Sequence, residues 1–238
     1  MEAPLVSVVM PAYNYERYIA AALESVAAQD YEPIETIVVD DGSSDRSAEI
    51  ARQHGVRIIA TEHGGIARAR NLGVAAARGD LIAFLDADDI WTDGSLSVRV
   101  GYLEQHPEID FVFGAMLGFL DPDSPPPAWF PPRLVTEPSG GAIQTFVVRR
   151  EVFARTGPFD ETLVVGEDLD WIARAHDAGC RGTLLDSVYV LRRFHSGSTT
   201  TRNLHIQRET LKRVVKRSID RKHTARSERP RPRGRPPV

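Results

Sequence analysis

The sequence predicts an α/β fold: a doubly wound, mostly parallel sheet with helices on both faces. Three observations predict it. Strand-like and helix-like runs alternate through the first 90 residues. The strand-like runs are continuously apolar, as in strands buried on both faces. The joints between runs carry turn and helix-capping residues.

Residues 5–10 form a Val-rich first strand. Residues 15–28 are alanine-rich, and Ile19, Leu23 and Val26 fall on one side of a helix. Residues 34–39 read as a second buried strand, and Ser44 or Asp45 can cap a helix reaching His54. A short strand follows at 57–61, then a helix at 66–77 with Gly79 beyond its end. Residues 81–85 give a fourth buried strand.

The second half changes character. Residues 92–105 suit a helix stopped by Pro107, and 110–119 are strand-like. Seven prolines then fall within residues 122–138, so an extended loop is expected. A short strand at 145–148, a helical turn at 151–155, a helix at 168–178 and an extended run at 183–191 follow. A polar helix at 203–220 leads into a tail, residues 221–238, beginning at Arg221. No internal repeat is visible.

Composition narrows the class. With 42% hydrophobic and 26% charged residues, whole-chain disorder is excluded. The longest apolar run, residues 111–120, is half a membrane span at best. No basic region precedes the first apolar run, so no secretory signal is expected. The single cysteine, Cys180, excludes a disulfide framework and a cysteine-rich zinc site. The net charge of −4 is unevenly spread: the tail holds seven Lys/Arg and one acid, about +6, and the remaining 22 basic and 32 acidic residues leave the body near −10. Such a body is a poor nucleic-acid binder. The Arg/Pro tail is expected to be disordered and is a candidate for peripheral contact with an anionic membrane face.

In an open parallel sheet, ligands bind beyond the carboxyl ends of the strands. Pro11-Ala12-Tyr13-Asn14 follows the first strand, Asp40-Asp41-Gly42-Ser43-Ser44-Asp45 the second, and Asp86-Ala87-Asp88-Asp89 the fourth. Each cluster alone is also good turn or cap chemistry, and Asp89 suits a helix cap. Together, the two acidic clusters repel unless a cation lies between them. Asp86 and Asp88, two apart on extended backbone, point the same way and can share Mg²⁺ or Mn²⁺. Gly-x-Gly-x-x-Gly and Walker loops are absent, which disfavours those nucleotide sites.

Five motifs occur in order: Val-Val-Met-Pro-Ala-Tyr-Asn at 8–14, Val-Val-Asp-Asp-Gly-Ser-Ser-Asp at 38–45, Ala-Arg-Asn-Leu-Gly at 69–73, Phe-Leu-Asp-Ala-Asp-Asp at 84–89 and Gly-Glu-Asp-Leu-Asp-Trp at 166–171. Together they resemble the family 2 glycosyltransferases of GT-A fold, over roughly residues 4–200. The resemblance implies a single domain over 1–220, with a nucleotide-sugar-binding half at 4–105 and an acceptor-binding half at 106–220. It implies inverting transfer from a nucleotide-diphospho-sugar, UDP-linked, to a glycan or lipid-linked hydroxyl in cell-envelope glycan synthesis. The expected location is cytoplasmic, peripheral at the inner membrane face.

The roles it implies are specific. Pro11, Tyr13, Asn14, Asp40 and Asp41 hold the nucleotide base. Arg70 and Asn71 flank the phosphates and sugar, and Asp86 touches ribose or the donor sugar. Asp88 ligates Mg²⁺ or Mn²⁺, and His195, closing a basic segment at 192–198, reaches the metal or the diphosphate. Asp168 is the general base, with Glu167 and Trp171 on the acceptor side. Two other readings remain. A sugar-phosphate nucleotidyltransferase needs a glycine-rich basic loop after the first strand, which Pro11-Ala12-Tyr13-Asn14 does not supply. A non-catalytic nucleotide-sugar-binding module predicts losses at Asp86, Asp88 or Asp168, and all three are present.

Overall fold

The structure is a computed structural model and describes residues 3–127, 130–196 and 204–227. Its first half follows the predicted alternation: β1 (Val6–Ala12), α1 (Ile19–Ala27), β2 (Ile34–Asp40), α2 (Ser47–Gln53), β3 (Arg57–Ala60), α3 (Ile66–Ala76) and β4 (Leu81–Phe84). β1 lies between β2 and β4, parallel to both, and β2 is parallel to β3.

Beyond β4 the sheet becomes mixed. β5 (Ile90–Trp91), α4 (Ser95–Gln105), β6 (Phe111–Leu120), β7 (Ser139–Gly140), β8 (Val147–Arg149), α5 (Val152–Thr156), α6 (Glu167–Asp177) and β9 (Gly182–Phe194) complete it. β8 runs antiparallel to β4 and β6, while β9 is parallel to β6. The order is β3-β2-β1-β4-β8-β6-β9-β5, with β7 paired to β6. Two-residue β5 had no sequence signal, because so short a strand shows no period; pairing with β9 defines it. Within the proline-rich stretch, Pro132–Val135 closes a 3-10 turn, for which proline's fixed φ is suited.

Alternation along the strands splits the core. Val6, Val8 and Met10 of β1 face α1, α2 and α4, where Ile19, Leu23, Ala51, Leu96 and Val100 are buried. Val9, Ile37 and Val39 face the other way, toward α3 and α6, with Ala69, Trp171 and Ala175. This covers both sides of the central strands, the condition a parallel sheet requires.

The last helix, α7 (Leu204–Ser227), corrects the expected start of disorder. Residues 221–227 continue the helix, because its basic side chains reach α6. Arg221 Nε lies 2.9 Å and Lys222 Nζ 3.3 Å from Asp177, and Ser218 donates to Asp177 at 3.0 Å. Tail composition carried no hint of this partner. The remainder of the expected tail, 228–238, lies outside the described residues. Among those described, no helix is long and apolar enough to cross a membrane.

Gly73 shows how a motif residue sets the layer spacing. A methyl group there would collide with Val9 on β1 and press on Val39 on β2. The helix can sit this close only without a side chain. Gly73→Ala gains ~1 kcal/mol in helix propensity against ~1–3 kcal/mol of overpacking. The expected net is destabilisation, read as a lower urea midpoint with an unchanged slope; a raised midpoint would contradict the close approach.

Candidate active site

The loops after β1 and β2 are fastened to each other. Asn14, at φ 58° in the left-handed region that Asn tolerates, accepts from Ser44 N at 2.8 Å, and its own N–H donates to Ser43 Oγ at 3.0 Å. Asp40 is spent in its turn, accepting from Ser43 N at 3.1 Å. Asp41 accepts from Gly64 N and Gly65 N at 2.8 and 2.9 Å, at the entry to α3. Tyr13 stacks on His63 at 4.0 Å, and His63 Nδ1 lies 2.9 Å from Asp41. Pro11, Tyr13, Asn14, Asp41 and His195 line a cavity of about 430 Å³; Asp40 does not.

The second feature is acidic. Ligand oxygens of Asp86, Asp88 and Asp89 lie within 4.8 Å of one another. His195 Nε2 is 3.1 Å from Asp88, although 107 residues separate them. Asp89 is not the helix cap expected of it. It precedes β5, and its buried carboxylate accepts from Arg193 N at 3.0 Å and from Gln144 at 3.4 Å. Burial, then the charges of Asp88 and Asp86, push the Asp89 carboxyl well above the usual carboxylate range. Burial also pushes Asp86 up, against the pull of Arg70. This crowding of hard oxygens beside an imidazole is a donor set that fits Mg²⁺ or Mn²⁺, and a divalent cation there would relieve the repulsion.

The third feature joins the halves of the chain. Arg70, wholly buried on α3, donates to Asp86 at 2.8 Å and to Glu167 at the first turn of α6. It is thus committed to two carboxylates, while its edge still lines the main cavity. Burial pushes Glu167 up to about 7, against the attraction of Arg70. Asp168, the next residue, accepts from Leu169 N at 2.8 Å and lines the main cavity of about 540 Å³ together with Asp86, Asp88, Asp89, Arg192 and Gln144. This cavity adjoins the first, with Pro11, Tyr15, Ile66 and Val164 lining both.

Besides Asp40, two expected site residues line neither cavity. Asn71 lines neither cavity: its amide donates to Phe159 O at 3.0 Å and Glu161 at 2.8 Å and accepts from Phe159 N. It ties α3 to the loop before α6. Trp171 is fully buried, stacked on Phe153 at 4.8 Å in the core rather than at the acceptor side. A helix turns each side chain 100° from the last. Glu167, Trp171 and Ala175 recur every four residues on the buried face of α6, while Asp168, one step of 100° from Glu167, turns toward the cavity.

Several site residues were not legible. Gln144 donates to Asp86 at 2.7 Å, and Trp91 and Arg99 hold the backbone carbonyls of Gln144 and Thr145. Tyr18 donates to Asp121 at 2.7 Å and packs 4.7 Å from His195. His63 sits beside Tyr13 and Asp41. None has a local pattern; only the order of strands brings them in. The basic pair Arg192-Arg193 did carry a signal, since two arginines on a strand leading to His195 are unusual cargo for a sheet.

The model of glycosyl transferase family 2 matches residues 7–159. The chain belongs to this family. EpsJ of Bacillus subtilis (strain 168), described as an uncharacterized glycosyltransferase, is 32% identical over 221 residues, covering 83% of this chain and 63% of EpsJ. Among solved structures, S. aureus TarS 1-349 in complex with UDP matches at a TM-score of 0.66 and 25% identity, over 80% of this chain and 61% of that one. The mannosyltransferase PcManGT from Pyrobaculum calidifontis, in complex with GDP-Man and Mn²⁺, shares the fold at a TM-score of 0.63 and 21% identity, over 87% of this chain and 61% of its own. The chain therefore spans about three fifths of the length of these relatives. The mixed α/β architecture described above is the GT-A fold.

Removing the Arg70 guanidinium leaves two buried carboxylates without their counter-charge. Breaking a buried pair in this way costs about 3–5 kcal/mol. Glu167 has a folded value near 7, above the ~4.3 of an unfolded chain. Its stabilising contribution is therefore complete below the unfolded value and lost as pH rises through 7. Arg70→Ala removes the attraction that opposes this rise. The expected result is a deficit against the parent that is full at alkaline pH and shrinks toward pH 5 as the carboxyls protonate. Urea unfolding of both proteins across this range measures it, and a deficit independent of pH would mean the pair is not electrostatic.

Proposed function

We propose that the chain transfers a sugar from a nucleotide-diphospho-sugar, UDP-linked, to the hydroxyl of a glycan or lipid-linked acceptor, with inversion at the sugar carbon. The observation that carries this reading is the placement of Asp86, Asp88 and Asp168 on the wall of one cavity that continues into the Tyr13–Asp41 cavity. A donor needs that sequence of surfaces: a base site, a cation site and then a carboxylate. The UDP complex of TarS supports the choice of base. The setting we propose is envelope glycan synthesis at the inner membrane face.

Tyr13 offers a ring face to the base, and Asp41 an acceptor to a ring N–H. Asp88 and His195 would hold the divalent cation, whose charge supplies Lewis-acid assistance to the departing diphosphate. Arg192 lines the same cavity and pulls the Asp86 and Asp89 carboxyls down, so it adds fixed positive charge where the diphosphate departs. Asp168 takes the acceptor hydroxyl's proton on a carboxylate oxygen as that hydroxyl attacks the sugar carbon. The new glycosidic C–O bond forms as the old one breaks, and the electron pair leaves on the nucleoside diphosphate. Glu167, held by Arg70, fixes the start of α6 and hence the aim of Asp168.

The test is release of UDP from UDP-sugars in the presence of Mg²⁺ or Mn²⁺. Asp168→Asn keeps the shape but not the basicity, and the expected rate falls about 10²–10⁴-fold with donor affinity unchanged by calorimetry. Loss of donor binding would move Asp168 into the donor site. Asp88→Ala, or EDTA with the parent, should abolish turnover, and full activity in EDTA would remove the cation from the reaction.

A further inference from the structure

Helix α7 presents two unlike faces. Thr210, Val214, Arg217, Ser218 and Arg221 recur at helical spacing and turn toward the body. Val214 is buried, Arg217 lies 2.7 Å from Asp160, and Ser218 and Arg221 bind Asp177. Beside this seam, Leu211, Val215 and Ile219 stand four residues apart, with exposures of 51%, 49% and 49%. An aliphatic stripe of this kind left in water is costly unless something covers it.

The stripe continues onto the cavity rim. Leu211 lines the main cavity, as do Val164 and Leu169, which are 62% and 42% exposed. Its flank is basic: residues 209–223 hold six Lys/Arg against two acids, and Lys212, Arg213, Lys216 and Lys222 are exposed. The rest of the body is strongly acidic. A second copy of this chain would bring like-charged flanks together. An anionic bilayer would attract this face and repel the others, so the charge pattern selects both the occupant and its orientation.

We propose that the Leu211–Val215–Ile219 face of α7 lies in the interface of an anionic lipid bilayer and holds the mouth of the main cavity against the lipid surface. Apolar side chains enter the boundary between headgroups and acyl chains, and the flanking lysines and arginines meet lipid phosphates. The binding itself does not depend on the glycosyl-transfer reading. Only its consequence does: an acceptor whose hydroxyl is delivered from the membrane.

Sedimentation of the full chain with phosphatidylcholine vesicles, with and without phosphatidylglycerol, tests this. The parent should bind only the anionic vesicles and release as salt rises. The double variant Val215→Ser with Ile219→Ser should lose about tenfold or more in vesicle affinity, with an unchanged circular dichroism spectrum and unchanged UDP release. Lys216→Glu, an exposed change that folding tolerates, should weaken binding at low salt and not at high salt. Replacing Arg229, Arg231, Arg233 and Arg235 with Ser in the full chain separates helix from tail, and most of the binding should survive. The proposal is overturned if the double variant binds like the parent, or if the tail variant alone abolishes binding. It is also overturned if the parent ignores anionic vesicles and forms a dimer that the double variant dissolves. Failure of UDP release with intact vesicle binding would count against the catalytic reading alone.

Discussion

A buried guanidinium with a carboxylate on either side ties this molecule together. Arg70 leaves α3 beneath the central strands and meets Asp86, just past the end of β4, and Glu167, at the start of α6. One partner belongs to the parallel half of the sheet and the other to the mixed half. A buried ion of either sign is costly alone, so each member requires the others. The triad therefore fixes where the Asp86–Asp88 turn stands relative to Asp168, which is the relation the proposed chemistry depends on.

Around this bridge, the fold divides its labour between rigid strand ends and side chains borrowed from afar. β1 and β2 end in register, and β4, parallel to β1, stops beside Val9, which gathers three loops at one edge. The later strands then supply the fourth side. β9 lies beyond β6, carries Arg192 and Arg193, and delivers His195 to Asp88. Gln144, its carbonyl held by Trp91 and that of the next residue by Arg99, closes the acidic cluster from the β8 side. Asp86 accepts from Arg70 and Gln144, Asp89 from Gln144 and Arg193 N, and Asp88 is met by His195. All three carboxylates line the main cavity.

The C-terminal helix belongs to the site as much as to the surface. Thr210 and Leu211 form part of the cavity wall, and the Asp160–Arg217 and Asp177–Arg221 contacts hold α7 along α6. Any motion of α7 along that seam changes the mouth of the cavity. The seam consists of partly exposed ion pairs, each individually weak and screened by salt. It is a softer joint than the buried Arg70 triad.

Much of this was legible in the chain alone. Continuous Val-rich runs fixed the buried strands of the first half, and the polar clusters at their ends marked the reactive edge, because strand order and local spacing are written in neighbouring residues. Gly73 lies at the close approach of α3 to β1, and Asp88 lies in the acidic cluster. Asn71 and Trp171 line neither cavity: the amide of one is bonded to the 159–161 loop, and the ring of the other is packed in the core. Asp89 looked like a cap and became a buried acceptor for Arg193, and the basic composition after residue 220 concealed a helix docked on Asp177. His63 and Gln144 had no local signal whatever. These outcomes rest on contacts between residues far apart in sequence, whose energy exists only after the sheet has closed. Local pattern determined which elements form and which loops carry charge; the tertiary structure decided which side chain answers which, because burial and pairing are properties of the assembled fold.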